Sequence, residues 1–259
     1  MGCMLIRSFI RGGGAAVPHH ISASNRTPEA RDAIARETGI GIADTNRTLA
    51  RDADIIILCV RQPDVVPVME EIKDLLTDDK LLISIASDVA LSELEALTPA
   101  RVVRVIPSVT SEHLKGVSLM VFSGRTTPAD RELALSLFGA IATPPVVIAE
   151  QNIEAYTTLT SCAPPAFFAA MVHEFAQSAT RMTGIPAAEA ERLACETFIG
   201  TAALLETPGT TSPDIIRRVA TPPGGITEEG GVNVLAHDFP AVCDEIFRAT
   251  ARKHAQFRD

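Results

Sequence analysis

Residues 20–30 read HISASNRTPEA. An alternating strand-like run over 20–24 gives way to three polar residues, Asn25-Arg26-Thr27. Thr27 then stands at a helix N-cap, with Pro28 at the first helical position and Glu29 in the first turn. This strand, polar corner and helix make one unit of a repeating pattern. Outward from it, the runs GIGIA (39–43), DIIILCV (54–60), KLLISIA (80–86), RVVRVI (101–106), VSLMVF (117–122) and PVVIA (145–149) read as strands. Helical patterns separate them at Thr27–Thr38, Asn46–Asp52, Pro67–Leu76, Leu91–Leu97 and Pro128–Phe138. DIIILCV and KLLISIA are apolar on both faces, as buried parallel strands are. Strand and helix alternating at this spacing predict an α/β domain with a doubly wound parallel sheet over residues 1–150.

After residue 150 strand signals stop, and residues 151–259 read as an all-helical domain. One long helix or two joined ones cover 151–183, and Pro186 starts another that runs to Leu205. TPGTTSP (207–213) is a loop, followed by a short helix at Asp214–Val219, the turn TPPGGIT (221–227), and two more helices from Glu228 and Pro240.

The chain begins with helix rather than strand. In MGCMLIRSFIRGGG (1–14), Leu5 and Phe9, and Ile6 and Ile10, are spaced four apart, and the glycine run stops the helix. In the strand order 3-2-1-4-5-6, the first strand is central and runs into GxGxxG, whose third glycine opens the first helix. Gly2 fits that third place, the alternative being a complete chain whose N-terminal helix packs on some other sheet. The first strand and first two glycines are then absent from the chain, and the reading frame is expected to continue upstream into an apolar strand ending in G-x-G. The corner after the second strand recognises an adenosine ribose in such sheets. An acid there holds a 2′-hydroxyl, whereas arginine with amide or hydroxyl groups holds a 2′-phosphate. Asn25, Arg26 and Thr27 include no acid, so NADPH is the expected cofactor, with NADH a further possibility.

Composition narrows the partners. The chain has 259 residues, 46% of them hydrophobic, and a formal net charge of −9. That charge argues against nucleic acid, which needs a basic footprint, and one Tyr with no Trp argues against a base-stacking surface. No apolar run approaches the roughly 20 residues of a membrane span. The first ten residues lack the basic start of a signal peptide. A cytoplasmic protein with no membrane partner is expected. Cys3, Cys59, Cys162, Cys195 and Cys243 are scattered without a CxxC pair, which suggests free thiols. His19-His20 lack carboxylate or cysteine partners, so no metal is expected. His173 and His237 fall in helical segments and read as packing or surface residues. Neither a nucleophile elbow nor a Walker pattern occurs.

The segments SNRTPEA, DADIIILCVRQPDV, LLISIAS, RVVRVIPS, SCAPPAFF and PPGGIT together resemble the pyrroline-5-carboxylate reductase family, collinearly over nearly the whole chain. RVIPSVTSEHLKGVSLM, TSCAPPAFF and GGITEEGGVNVL are similar to its late-competence, ComER-type branch. The resemblance implies an N-terminal Rossmann domain, a C-terminal dimerisation domain that makes a homodimer or higher oligomer, and NAD(P)H. It also implies reduction of a cyclic imino acid, 1-pyrroline-5-carboxylate, to proline. It places Asn25, Arg26 and Thr27 at the 2′-phosphate and ribose, and Asn46 at the adenosine end. Cys59, Val60, Arg61, Gln62 and Pro63 lie along the cofactor, where the family usually reads A-V-K-P. Ala86 and Ser87 lie near the nicotinamide side. Gly2 matches the end of the family's GxGxMG.

On the substrate side, PPGGIT matches S-P-G-G-T-T. Gly224, Gly225 and Ile226 belong to a turn whose amides approach a carboxylate. Thr227 is the candidate for assisting proton transfer, with Ser161 the second catalytic candidate. An ordinary glycine turn with Thr227 as N-cap is the plainer reading. The two glutamates that follow, Glu228 and Glu229, place negative charge beside a site meant for an anion. TSCAPPAFF replaces the usual S-G-S-G-P-A-Y: Ser161 keeps the first serine, Ala163 loses the second hydroxyl, Phe167 replaces tyrosine, and Pro164 is expected to kink a helix. Ser108 stands where the family has Asn. These departures keep two alternatives open: a non-catalytic or regulatory dimer on the reductase fold, and a reductase of another imine or carbonyl.

Overall fold

The computed structural model describes residues 1–13, 20–220, 223–233 and 235–258. His19 and the Thr221-Pro222 part of the expected turn lie outside the described residues, as does the His237 side chain. Two compact units form, Met1–Cys162 with His254–Asp259, and Ala163–Lys253. The expected break was at 150/151. The later division follows from packing, because Ile153 is buried in the core of the first unit.

The first unit runs α1 (Gly2–Gly12), β1 (Ser22–Ala23), α2 (Pro28–Thr38), β2 (Gly41–Ile42), α3 (Asn46–Asp52), β3 (Ile55–Leu58), α4 (Gln62–Ile72), β4 (Leu81–Ser84), α5 (Leu91–Leu97), β5 (Arg101–Pro107), β6 (Ser118–Phe122), α6 (Pro128–Gly139), β7 (Val146–Val147) and α7 (Ile153–Thr157). The strands make two sheets, β1-β2 and β3-β4-β5-β6-β7. In the order 3-2-1-4-5-6, β1 and β3 are the strands that flank the first one. No strand among the described residues lies between them.

One pairing corrects the all-parallel expectation: β5 and β6 run antiparallel, and the others are parallel. A parallel crossover needs about a dozen residues or more, usually with a helix. Here Ser108 to Val117 holds only a 3-10 turn, Val109–His113, closed by Leu114 at φ 57. The runs at 20–24, 39–43 and 145–149 pair over only two residues each.

Proline placement shifts several helices. α4 starts at Gln62, with Pro63 in its first turn where no N–H partner is needed, so Pro67 falls inside the helix rather than at its start. After α7 the backbone widens into a π-turn over Thr158–Cys162. Pro164 and Pro165 then open a new helix, α8 (Pro164–Thr183), instead of kinking a continuous one.

Side-chain alternation along β4 and β5 builds both faces of the core. Leu81, Ile83, Val103 and Val105 face α1 and α6, where Phe9 meets Phe138 edge-on at 5.3 Å. Leu82, Val102 and Ile106 face α4 and α5. The buried stripe of α1 is Met4, Leu5, Ser8 and Phe9; it contains the expected pair Leu5 and Phe9, whereas the expected pair Ile6 and Ile10 is only half-buried. β4 is buried throughout, whereas β3 alternates buried and half-buried because it is an edge strand of its sheet. α1 ties the two sheets together: its apolar stripe packs on the five-stranded sheet, and Arg7 donates from Nε and Nη2 to the two carboxylate oxygens of Glu37 in α2, each at 2.7 Å.

The second unit contains α8, α9 (Ala187–Leu205), α10 (Ser212–Val219), a π-turn over Glu228–Asn233 and most of α11 (Leu235–Arg258). α11 runs through Pro240, where a helix start was expected. Phe167 stacks on Phe239 at 6.0 Å, and Phe168 meets Phe198 at 5.7 Å. No described helix is long and apolar enough to cross a membrane.

Candidate active site

A cavity of about 270 Å³ opens at the carboxyl ends of β3 and β4. This is the edge where open α/β sheets bind ligands. The turn after β3 supplies Cys59, Val60, Arg61 and Gln62, the turn after β4 supplies Ile85, Ala86, Ser87 and Asp88, and Met1 contributes from the start of α1. Six of the sequence-derived cofactor residues therefore line one cavity: Cys59, Val60, Arg61, Gln62, Ala86 and Ser87. Pro63 sits beside them in the first turn of α4.

Gly2 packs against the same turn. A Cβ built on Gly2 lies 3.3 Å from the Cβ of Cys59, closer than ordinary contact. The third glycine of a dinucleotide fingerprint serves such close helix–strand packing. Burial pushes the Cys59 thiol up from 9.0 to about 11. At pH 8 only about one molecule in a thousand carries the thiolate, so iodoacetamide is expected to leave Cys59 unmodified in the native protein. Labelling should accelerate as pH approaches 11, as peptide mass mapping would show. The folded state keeps a proton that the unfolded chain releases, so this group's stabilisation is present below pH 9 and is lost as pH rises to about 11.

The corner after β1 reaches this region through a shared carboxylate. Asp64, in the first turn of α4, sits 3.6 Å from Arg26 and 3.2 Å from Arg61. Both guanidinium groups remain about four-fifths exposed, at 80% and 78%. Thr27 is the N-cap of α2, but its hydroxyl does not make the cap bond. Asn25 Oδ1 accepts from the Thr27 amide at 2.9 Å instead. Asn46 is engaged within the protein: its Oδ1 accepts from Ser24 at 3.0 Å and its amide donates to Glu71 at 2.8 Å. Asp64 was not singled out by sequence, although its spacing three residues after Arg61 on a helix start was the available signal.

The donor set fits a phosphorylated dinucleotide. Two exposed arginines share one carboxylate, the first helix carries no side-chain cap at its start, and a glycine lets that start approach the strand end. Helix N-termini and guanidinium forks both favour phosphate.

The substrate-side candidates divide between the units. Ser161 lies in the π-turn of the first, with its hydroxyl 3.1 Å from that of Thr160. Gly224, Gly225, Ile226 and Thr227 belong to the second, where Ile226 is 94% exposed and Thr227 is exposed. Gly224 has φ 80, a conformation only glycine adopts readily. Its N–H donates to the Glu228 carboxylate. His173 lies 3.5 Å from Glu191 on an exposed helix face.

Residues 150–257 match the family model for pyrroline-5-carboxylate reductase dimerisation, and residues 1–88 match the model for NADP oxidoreductase, coenzyme F420-dependent. ComE operon protein 4 of Bacillus subtilis is 30% identical over 99% of this chain and 92% of its own. Pyrroline-5-carboxylate reductase 3 of the same organism is 34% identical over 82% and 76%. The Methanosarcina acetivorans pyrroline-5-carboxylate reductase is 31% identical over 89% and 84%. Among solved structures, a pyrroline-5-carboxylate reductase from Coxiella burnetii superposes with a TM-score of 0.87 at 23% identity, covering 98% of this chain and 95% of that one. The Plasmodium falciparum enzyme, with NADP bound, gives 0.84 at 18%, covering 100% and 95%. With the helical half, the strand-end cavity and full-length identity at this level in agreement, the chain belongs to the pyrroline-5-carboxylate reductase family.

Proposed function

We propose that this chain is an NADPH-dependent reductase that converts 1-pyrroline-5-carboxylate to proline in the cytoplasm. The observation that carries this reading is the cavity at the ends of β3 and β4, with Gly2 packed on its wall and Arg26 and Arg61 converging on Asp64. When bound, the nicotinamide supplies a hydride to the imine carbon. The protein's part is orientation and proton handling. Arg26 and Arg61 take the 2′-phosphate, Asn25 and Thr27 the ribose, and Cys59, Val60 and Gln62 with Ala86 and Ser87 the length of the cofactor. The Gly224 and Gly225 amides hold the substrate carboxylate, which requires Glu228 to release the Gly224 N–H. Thr227 donates at the imine nitrogen, with Ser161 as the second polar candidate.

Purified full-length protein mixed with pyrroline-5-carboxylate should oxidise NADPH and form proline; no turnover with either nicotinamide cofactor sinks the reading. Arg26→Ala should weaken NADPH by about tenfold and leave NADH nearly unchanged, because a hydrogen bond to a charged phosphate is worth about one power of ten or more. Adding Arg61→Ala should bring the loss to about a hundredfold in a fluorescence titration.

A homodimer through the second unit is the proposed assembly. Phe175, Met182 and Ile199 are 74%, 80% and 62% exposed in the single chain, more apolar surface than a lone helical layer leaves in water. Sedimentation velocity should read a dimer or larger species, and Ile199→Asp should shift it toward monomer.

The Glu228 carboxylate on Gly224 favours a second reading, a regulatory dimer that keeps the fold. NADPH binding without turnover on any member of an imine and carbonyl panel would support it.

A further inference from the structure

Arg104 lies on β5, on the same face as Val102 and Ile106, which belong to the core that β5 shares with α4 and α5. Its side chain is only 3% exposed. A buried guanidinium is costly unless paired, and a well-packed apolar residue would serve stability at least as well. The pairing is specific. Nη1 donates to Glu150 Oε1 at 2.5 Å, and Nη2 donates to the Ser87 carbonyl at 2.7 Å. The same Glu150 oxygen accepts the Leu91 amide at 2.6 Å, satisfying the start of α5. The turn between β4 and α5 is thus held at Ser87 and at Leu91 by one ion pair beneath it. That turn, Ile85 to Asp88, forms one wall of the cavity. Asp88 is engaged as well, with Ser87 Oγ at 2.7 Å and His254 Nδ1 at 3.3 Å.

Sheet order gives the clamp its direction. Arg26 follows β1 and reaches Asp64 beyond β3, whereas Ser87 follows β4 on the other side of β3. A dinucleotide anchored by phosphate at Arg26 and Arg61 has its opposite end against the Ser87 turn. We propose that Arg104, held by Glu150, is a positioning residue that fixes the Ser87 carbonyl and with it the cavity wall against the non-phosphorylated end of the cofactor. This inference rests on the cofactor reading above.

The test compares two probes on the full chain, NADPH and 2′,5′-ADP, the latter keeping only the phosphorylated end. Arg104→Met should weaken NADPH by about tenfold and leave 2′,5′-ADP within about twofold. Arg104→Lys should recover part of the loss, since an ammonium reaches one of the two acceptors. Glu150→Gln should lose NADPH affinity in the same selective way but less, because its carbonyl still accepts from Leu91. If Arg104→Met does not fold, Arg104→Lys and Glu150→Gln carry the comparison. Equal weakening of both probes, or no weakening of either, overturns the positioning role and leaves the cofactor reading standing. Wild-type protein that binds neither probe overturns both.

Discussion

A Thr227→Val protein is expected to bind NADPH with unchanged affinity and to lose roughly 10²- to 10³-fold in kcat/KM toward the imine. Valine keeps the shape of threonine and removes its hydroxyl, so the substitution deletes the donor proposed for the imine nitrogen. Thr227 is exposed, and the space around Gly231, whose built Cβ comes no nearer than 3.7 Å to the Thr227 methyl, does not crowd it. A stability effect is therefore not expected to confuse the kinetics. Steady-state rates at saturating NADPH, alongside a direct cofactor titration, separate the two quantities. Turnover retained within a factor of about three would move the proton-donating role to water or to Ser161.

Phe138→Ala is expected to cost the first unit about 3–5 kcal/mol, the range for removing a fully buried aromatic ring. Phe138 is 0% exposed and meets Phe9 edge-on at 5.3 Å and 86°. A double-mutant cycle with Phe9→Ala should return a coupling of about 0.5–1.5 kcal/mol. The consequence reaches the cofactor, because Phe9 anchors α1 and the start of α1 carries Gly2 and Met1 to the cavity. Urea unfolding with amide exchange read at Leu82 and Val103 reports the first unit alone. NADPH affinity should fall in the same variant. A melting change without any loss of affinity would mean that α1 is held at the cavity by contacts other than Phe9.

The cavity lining was legible because its residues occupy strand ends. In an alternating α/β chain the turn after each strand is marked by where an apolar run stops, and the family resemblance names Cys59 to Gln62 and Ala86–Ser87 at two such turns. The prolines were legible as residues but not as positions. Pro63, Pro67, Pro164 and Pro240 each allow a helix start or a helix interruption, and only the surrounding packing chooses between them. Arg104 read as an ordinary strand residue, since a charge on a strand is normally solvent-facing. Its partners Ser87 and Glu150 are distant in sequence, so their pairing had no local signature. Glu228 was noticed as a misplaced charge, and its bond to the Gly224 amide depends on how the π-turn brings it back over the glycine.

Periodicity and turn chemistry in the sequence alone determined an α/β half followed by a helical half, the helix at the front, the polar corner at Asn25-Arg26-Thr27 and the strand-end turns that line the cavity. These are short-range consequences of side-chain spacing, capping and backbone restriction, and they need no partner across the fold. The tertiary structure decided the rest. It reversed β6 because the link from Ser108 is too short for a crossover, set β3 at an edge beside a separate two-stranded sheet, drew Arg26 and Arg61 onto Asp64, and seated Arg104 under the Ser87 turn. Each of these joins residues far apart in the chain, and their proximity is fixed by which faces the core must bury, a quantity that no local pattern contains.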